Sequence, residues 1–334
     1  MIHRVPCIRG DGVGPEVTRA AMVVVEALGV PVEFSDIPAG QAAFEEFGTP
    51  VPESSLDEIR NAKVCLKGPL SNEIGGGYDS PNHDLRRRLH LFASVRPNKA
   101  YRGVNSRFPG ADITVLMHNY EGPDSGIDRL LGTDGEVVEH ISVATRTATK
   151  RMMRFAFRFA QARGKKLALV HFADQMKHSE GLWLAVAKEL AGGFVDVDFS
   201  SYLADTLAQQ LILHPERFDV IVGHHLWGDV FSGLCSGMVG GALCPVVNHG
   251  DEGVAVFETA HGTAPRLAGK NAANPSAAIL AAKYLLEHVG FAEEASRVEF
   301  ALSQTLAEGR VLTADLGGTA TTEAFAARVA AFLG

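Results

Sequence analysis

Cysteine is scarce and scattered. The chain has 334 residues and only four cysteines, Cys7, Cys65, Cys235 and Cys244, with no CxxC pair among them. That spacing gives neither a thiolate zinc motif nor a disulfide framework, so a reducing compartment fits best. Long apolar runs are missing too. A membrane-spanning helix needs about 18 apolar residues in a row, and no such run occurs. The opening MIHRVPCIRGDG lacks the apolar core of a signal peptide, which makes the cytoplasm the expected location. Positive charge is not in excess: 31 basic against 39 acidic side chains give a net charge of −8. That balance argues against nucleic acid or an anionic membrane as a partner. It leaves room for a local basic pocket that takes an acidic small molecule. There is no repeat, no low-complexity tract and no proline-rich linker, so any two domains are expected to be interleaved rather than strung in series.

What is present is ample core material, 46% hydrophobic residues, together with 35 glycines. Apolar runs of strand length alternate with helical spacings. VPCI leads through a glycine turn into PEVTRAAMVVVEALG, a helix with a glycine stop. AKVCLKGP and ADITVLMHN read as strands. ATKRMMRFAFRFAQARG is an amphipathic helix followed by the strand KKLALVHF. SEGLWLAVAKELAGG is a helix, FDVIVGHH a strand, and NPSAAILAAKYLLEHVG a helix. This alternation predicts an α/β chain with a largely parallel sheet. EVVEHISVATRT stands apart as an isolated β segment, suited to an arm for dimer contacts.

Six stretches carry candidate chemistry, most with a plain structural alternative. GDGVGPE, Gly10 to Glu16, joins strand to helix; its G-x-G-x-G spacing is not the G-x-G-x-x-G dinucleotide fingerprint, and it is equally an ordinary tight turn. SPNHDLRRRLHLFASVRP holds Ser80, Asn82, Arg86 and Arg96. Arginine forks grip carboxylates in bidentate fashion, so this set suits a di- or tricarboxylic acid, or else forms a solvated basic helix face. Asp205 and Asp229, read at loop positions, are either oxygen ligands for Mg²⁺ or Mn²⁺ or helix caps. FETAHGTAPRLAGKNAANP, Phe257 to Pro275, is a polar, glycine-containing loop before a long helix, able to wrap a nucleotide or to be a surface loop. VHFADQMK, at a strand's carboxyl end, sets the apolar Phe172 where open α/β sheets gather ligand-binding groups.

Taken together, these segments resemble the isocitrate/isopropylmalate dehydrogenase family of decarboxylating β-hydroxyacid dehydrogenases. The resemblance runs almost end to end, through GDGVGPE, KGP, LRRRLHLFASVRP, FDVIVGHHLWGD, MVGG, HGTAP and DLGGTATTEAF. It implies the family's α/β fold: a large nucleotide-binding domain from residues 1–97 and 240–334, and a small domain, 98–239, for substrate, metal and dimerisation. It implies a homodimer that oxidises a 2-hydroxy acid with NAD or NADP and then removes a carboxylate with help from Mg²⁺ or Mn²⁺. Matched residue by residue, Arg86 and Arg96 hold substrate carboxylates, and Ser80 and Asn82 lie beside the distal carboxylate, as in the isocitrate enzymes. Asp205, reaching into the partner subunit, and Asp229 match metal ligands. Lys67, Glu258, His261, Gly262, Thr263, Ala264, Arg266, Asn274 and Asp315 match cofactor-binding positions. Arg266 could meet a 2′-phosphate, but the tyrosines that support NADP in the family are missing, so NAD is the expected cofactor.

Four positions depart from the family pattern. The family's RENTEGEYSG is MHNYEGPDSG here, so Met117 replaces a substrate arginine and Asp124 replaces the proton-transferring tyrosine. HKAN becomes HFAD, with Phe172 in the place of the lysine that assists deprotonation. Gly233 replaces a third metal aspartate. A general acid or base contributes about 10² to 10⁴ in rate. The chain is therefore expected to be either a dehydrogenase with substitute proton carriers, Asp124, His118, Tyr120 or His225, or a catalytically silent ligand-binding or regulatory family member.

Overall fold

The computed structural model describes residues 2–72, 77–132, 135–164 and 166–334, with the side chains of 124–127 left out. The strands are β1 His3–Ile8, β2 Val32–Asp36, β3 Val64–Lys67, β4 Ala93–Lys99, β5 Asp112–His118 and β6 Gly122–Leu131. They continue as β7 Val137–Val143, β8 Lys166–His171, β9 Asp198–Leu203, β10 Val220–Gly223, β11 Pro245–His249 and β12 Ala255–Thr259. The helices are α1 Gly14–Glu26, α2 Gln41–Phe47, α3 Glu53–Ala62, α4 Pro81–Arg88, α5 Arg146–Ala162 and α6 Ser179–Ala191. Then follow α7 Ala204–Leu213, α8 His225–Val239, α9 Ser276–His288, α10 Ala292–Glu308 and α11 Thr322–Ala330. None of these helices is long and apolar enough to cross a membrane.

The chain divides into two units, one of residues 1–91, 99–109 and 236–334, the other of 92–98 and 110–235. The first carries strands in the order β2-β1-β3-β12-β11. Its pairs are parallel except β11 with β12, which run antiparallel. Its core on one side of the sheet packs Ile8, Leu56, Ile59, Cys65, Leu85, Leu91 and Val256. The second unit carries the order β4-β5-β10-β8-β9, with β5, β10, β8 and β9 parallel. Buried on both faces, these strands read as near-continuous apolar runs such as VIVG and LALV.

Local chemistry sets the element ends. Thr145 caps α5 by accepting the Ala148 N–H at 3.3 Å, and α5 buries Met152, Met153, Ala156, Phe157 and Ala160 at helical spacing. Ser80 caps α4, with Pro81 opening that helix. Gly309 ends α10 in the left-handed region, φ 69°. All four cysteines are buried.

Two expectations change. The β segment after residue 136 is not isolated, because β7 pairs antiparallel with β6 as a two-stranded ribbon. Phe257 to Thr259, read as the start of the polar loop, completes strand β12, since their backbones pair with Val247, Val246 and Pro245 of β11.

Candidate active site

In the first unit, GDGVGPE is the turn between β1 and α1. Gly12 has φ +59°, and a Cβ there would lie 2.1 Å from the Thr263 carbonyl oxygen. The Val13 N–H donates to that same oxygen at 2.9 Å. Only glycine allows this approach, so the turn and the HGTAP loop are knitted together. In the loop, Ala264 also takes a positive φ, 40°. His261 Nδ1 lies 3.0 Å from the Gly262 carbonyl. A carbonyl only accepts, so Nδ1 carries the proton and Nε2 keeps its lone pair. Nε2 is buried with no partner among the described residues, and burial is the main influence lowering this histidine's pKa. Asn274 Nδ2 donates to Asp315 at 2.9 Å and Thr313 Oγ1 donates to its other oxygen at 2.6 Å. Arg266 is exposed.

Beneath these lies a buried ionic cluster. Lys67 pairs with Glu258, Arg86 Nη2 reaches the other Glu258 oxygen at 3.3 Å, and Asn248 donates to that oxygen at 2.7 Å. Burial alone would raise the Glu258 pKa; the Lys67 and Arg86 charges and the hydrogen bonds outweigh it and hold the carboxyl at about 2. Lys67 and Glu258, expected at the cofactor, therefore satisfy each other, at 3% and 5% exposure. On α4, Ser80 spends a lone pair on the His83 N–H, whereas Asn82 Oδ1 and Arg86 Nε are buried with no partner among the described residues.

In the second unit, Arg96 on β4 donates to Asp229 at 2.5 Å. His225 Nε2 is 3.5 Å from the same carboxylate. Asp229 lies in the second turn of α8 and Asp205 in the first turn of α7, so neither occupies the loop position expected for it. The reason is the shortness of the links: α8 starts two residues after β10 ends, and α7 follows β9 directly. Asp205 accepts from the Thr206 N–H at 2.7 Å. Among the described residues, no group of three His, Cys, Asp or Glu side chains is placed to hold a metal ion. A hard divalent cation takes at least six oxygens. In one chain, Asp229 is already matched by Arg96, so these residues do not by themselves fit the metal.

Met117 is fully buried and packs on Gly228, whose added Cβ would stand 2.3 Å from Met117 Cγ. Helix α8 can lie this close to β5 because Gly228 has no side chain. Phe172 is half-buried, its ring 6.2 Å from that of Trp227. Asp124 falls among the side chains outside the described set. At Gly233 an added Cβ would meet nothing within 4 Å.

A set of residues that the sequence reading did not assemble lies at the carboxyl ends of β5, β10 and β8. His118, His224 and His171 are 0%, 4% and 7% exposed. Glu180 of α6, 3% exposed, meets His224 Nε2 at 2.5 Å and accepts the Phe172 N–H at 3.3 Å. Burial chiefly, then the Arg151 charge, pushes the His118 pKa down to about 3. The signal was in the sequence: VLMH, LALVH and VIVGH are each an apolar run stopped by a histidine.

Comparison with known proteins bears on the whole chain. The family model for isocitrate/isopropylmalate dehydrogenase matches residues 4–329. A 3-isopropylmalate dehydrogenase of Archaeoglobus fulgidus is 40% identical over 334 residues, covering 99% of this chain and 100% of that protein. The mitochondrial NAD isocitrate dehydrogenase catalytic subunit 5 of Arabidopsis thaliana is 37% identical over 318 residues, 95% of this chain and 84% of that one. The crystal structure of isocitrate dehydrogenase from Methylococcus capsulatus superposes with a TM-score of 0.96 at 39% identity, covering 99% of both chains. Fold, motif order and full-length match agree: this chain belongs to the isocitrate/isopropylmalate dehydrogenase family.

Proposed function

We propose that this protein is a nicotinamide-dependent dehydrogenase that oxidises a 2-hydroxy di- or tricarboxylic acid and releases its carboxylate as CO₂. The observation that carries this reading is the HGTAP loop fastened to the Gly12 turn, with His261 Nε2 left as a buried, unspent acceptor. A buried acceptor without a partner is costly, and a ribose hydroxyl is a donor of the right kind. Residues 261–266, Asn274 and Asp315 would hold the dinucleotide, which supplies the hydride acceptor when bound. Asp315, already aligned by Asn274 and Thr313, offers a carboxylate suited to the ribose hydroxyls of NAD; Arg266 is the feature that would admit NADP.

For the substrate, Arg86 and Arg96 supply cationic forks, while Ser80 and Asn82 supply neutral donors and acceptors. Met117 contributes no charge. One carboxylate contact of the arginine pattern is therefore missing, a charge-assisted bond worth about 1.5–3 kcal/mol. Mg²⁺ or Mn²⁺ would rest on Asp229 and on Asp205 of a second copy. That second copy makes a homodimer the proposed assembly. The β6–β7 ribbon, with Leu130, Val137 and Val138 at 65%, 53% and 61% exposure, is the surface proposed for it.

A panel of malate-type and isocitrate-type acids, with NAD and NADP and with Mg²⁺ and Mn²⁺, tests the activity through absorbance of the reduced nicotinamide. Turnover that disappears in Asp229→Ala is expected. A protein that binds the dinucleotide yet turns over nothing in the panel favours the second reading, a catalytically silent ligand-binding or regulatory subunit. Met117, buried and uncharged at a substrate position, is what supports that alternative.

A further inference from the structure

The lysine position of the family pattern is held by Phe172, which can neither take nor give a proton. The second unit has a different group near that point. Parallel pairing sets Gly223 level with Met117 and Val222 level with Leu169. Carried forward, it places His224 in one row with His118 on β5 and His171 on β8, all three buried where the strands end.

The three imidazoles are not equivalent. His118 Nδ1 accepts the Glu121 N–H at 3.2 Å, and His171 Nδ1 accepts the Ala173 N–H at 3.2 Å. Each is fixed as the Nε2–H tautomer, and a second proton would break its backbone bond. His224 is arranged the other way. Its Nε2 donates to the Glu180 carboxylate, and its Nδ1 is buried with no partner among the described residues. A carboxylate at one nitrogen fixes the tautomer, turns the lone pair of the other outward from the pair and stabilises the imidazolium.

The dyad also touches both places that matter. Glu180 holds the backbone N–H of Phe172 with its second oxygen. The His224 ring lies under Gly122, whose added Cβ would be 3.3 Å from Nδ1. Gly122 is two residues from Asp124, the family's tyrosine position. Glu180 of α6 pairs with His224, and His118 of β5 feels the charges of His224 and of Arg151 of α5, while His171 of β8 shares the Glu180 carboxylate's field. His225 is the chain neighbour of His224. Trp183 and Trp227 pack their rings at 6.4 and 5.7 Å.

We infer that the His224–Glu180 dyad is the proton acceptor of this site, taking the substrate's hydroxyl proton through one bound water in place of the absent lysine. This rests on the dehydrogenase reading. In the step, the C–H and O–H bonds of the hydroxyl-bearing carbon break and a C=O bond forms. The hydride goes to the nicotinamide dinucleotide; the proton crosses the water to Nδ1, giving an imidazolium paired with the Glu180 carboxylate. Decarboxylation then leaves the C–C electron pair as an enolate, and the proton held at Nδ1 returns through the water to the enolate carbon, so His224 ends as imidazole.

The test compares wild type with His224→Asn and Glu180→Gln, each checked for an unchanged NAD Kd and thermal melt; Glu180→Gln keeps shape and a hydrogen bond where His224→Asn does not fold. Two readouts are taken. The first is the pH profile of kcat, in which both variants should fall about 100-fold or more and lose the acid limb. The second needs no turnover: calorimetry of oxalate binding, with NAD and Mn²⁺ present, in two buffers of different ionisation heat. Wild type should take up a proton on binding, and His224→Asn should not. Variants that keep the wild-type pH profile or the proton uptake overturn the inference while leaving the dehydrogenase reading intact. A wild type without turnover whose proton uptake vanishes in His224→Asn supports the dyad and overturns the activity. A wild type with neither turnover nor proton-coupled binding overturns both.

Discussion

The buried polar cluster of the first unit and that of the second handle burial in opposite ways. Lys67, Glu258, Arg86 and Asn248 are charged or strongly polar, and they saturate one another with ion pairs and hydrogen bonds. His118, His171, His224, Trp183 and Trp227 are aromatic rings, and His118 Nε2, His224 Nδ1 and both indole N–H groups have no partner among the described residues. The first arrangement is rigid across the working pH range and expensive to break. The second leaves nitrogens unspent, which costs stability and creates capacity for protons or a ligand. One buried cluster is thus saturated and the other is not.

The largest break comes at Glu258. Glu258→Gln removes the charge that buried Lys67 and half-buried Arg86 share, and unpairing a buried ion costs about 3–5 kcal/mol. Urea unfolding at neutral pH should show a loss of that order with an unchanged slope. The same carboxyl gives an acid signature. Its folded pKa, about 2, lies below the ordinary 4.5. Its contribution is fully present above pH 4.5 and is lost as pH falls toward 2.

The histidine row should respond in a different pH window. His118 has a folded pKa of about 3 against 6.5. The unfolded chain therefore binds the proton first, and stability falls as pH drops from 6.5 toward 3. By pH 4 the loss should be on the order of 3 kcal/mol, from about 1.4 kcal/mol per pH unit. His249, at about 4 through burial first and then the His288 charge, adds to the slope. Stability curves at pH 7 and pH 4 should therefore converge for His118→Gln relative to wild type. Equal acid losses in the two proteins would show that the row is not the sensitive element.

Packing around the second cluster is tight enough to test. Gly228→Ala forces a methyl to 2.3 Å from Met117 Cγ and 2.5 Å from its Cβ, atoms close to the backbone that cannot swing away. Overpacking of this kind costs about 1–3 kcal/mol. A companion Met117→Val change should recover part of it. No recovery would mean that the helix, rather than Met117, absorbs the strain.

How far these clusters could be read from the sequence follows the range of the interactions. VIVG, LALV and the amphipathic α5 were legible because periodicity is local. The positions of Asp205 and Asp229 were not, since the length of a strand-to-helix link is decided by packing; the two aspartates read as loop residues and fell in helices. The knit of Gly12 to Thr263 was half legible: both turns stood out, but their contact spans about 250 residues of chain. The His224–Glu180 pair was not assembled at all. Nothing in 44 residues of separation announces a 2.5 Å contact, even though the histidine stops at three strand ends were in plain view. Resemblance located Phe172 and Met117 as departures. That Met117 is sealed beneath Gly228 while the amide of Phe172 is held by a buried carboxylate depends on contacts between distant elements.

The smallest effect should come from Ser80, and it separates two jobs for one hydroxyl. Ser80 Oγ accepts the His83 N–H at 3.4 Å, a long capping bond, so Ser80→Ala should cost about 0.5 kcal/mol, the low end for a lost helix cap. A hydroxyl that accepts from the helix can still donate its own proton to a substrate carboxylate. If it does, KM for the acid should rise several-fold in Ser80→Ala, by about 1 kcal/mol of lost hydrogen bonding. Ser80→Gly discriminates further. Glycine is a tolerable cap, within a few tenths of a kcal/mol of serine, yet it cannot donate. A variant with near wild-type stability and raised KM assigns the hydroxyl to substrate; near wild-type values for both confine Ser80 to the end of α4.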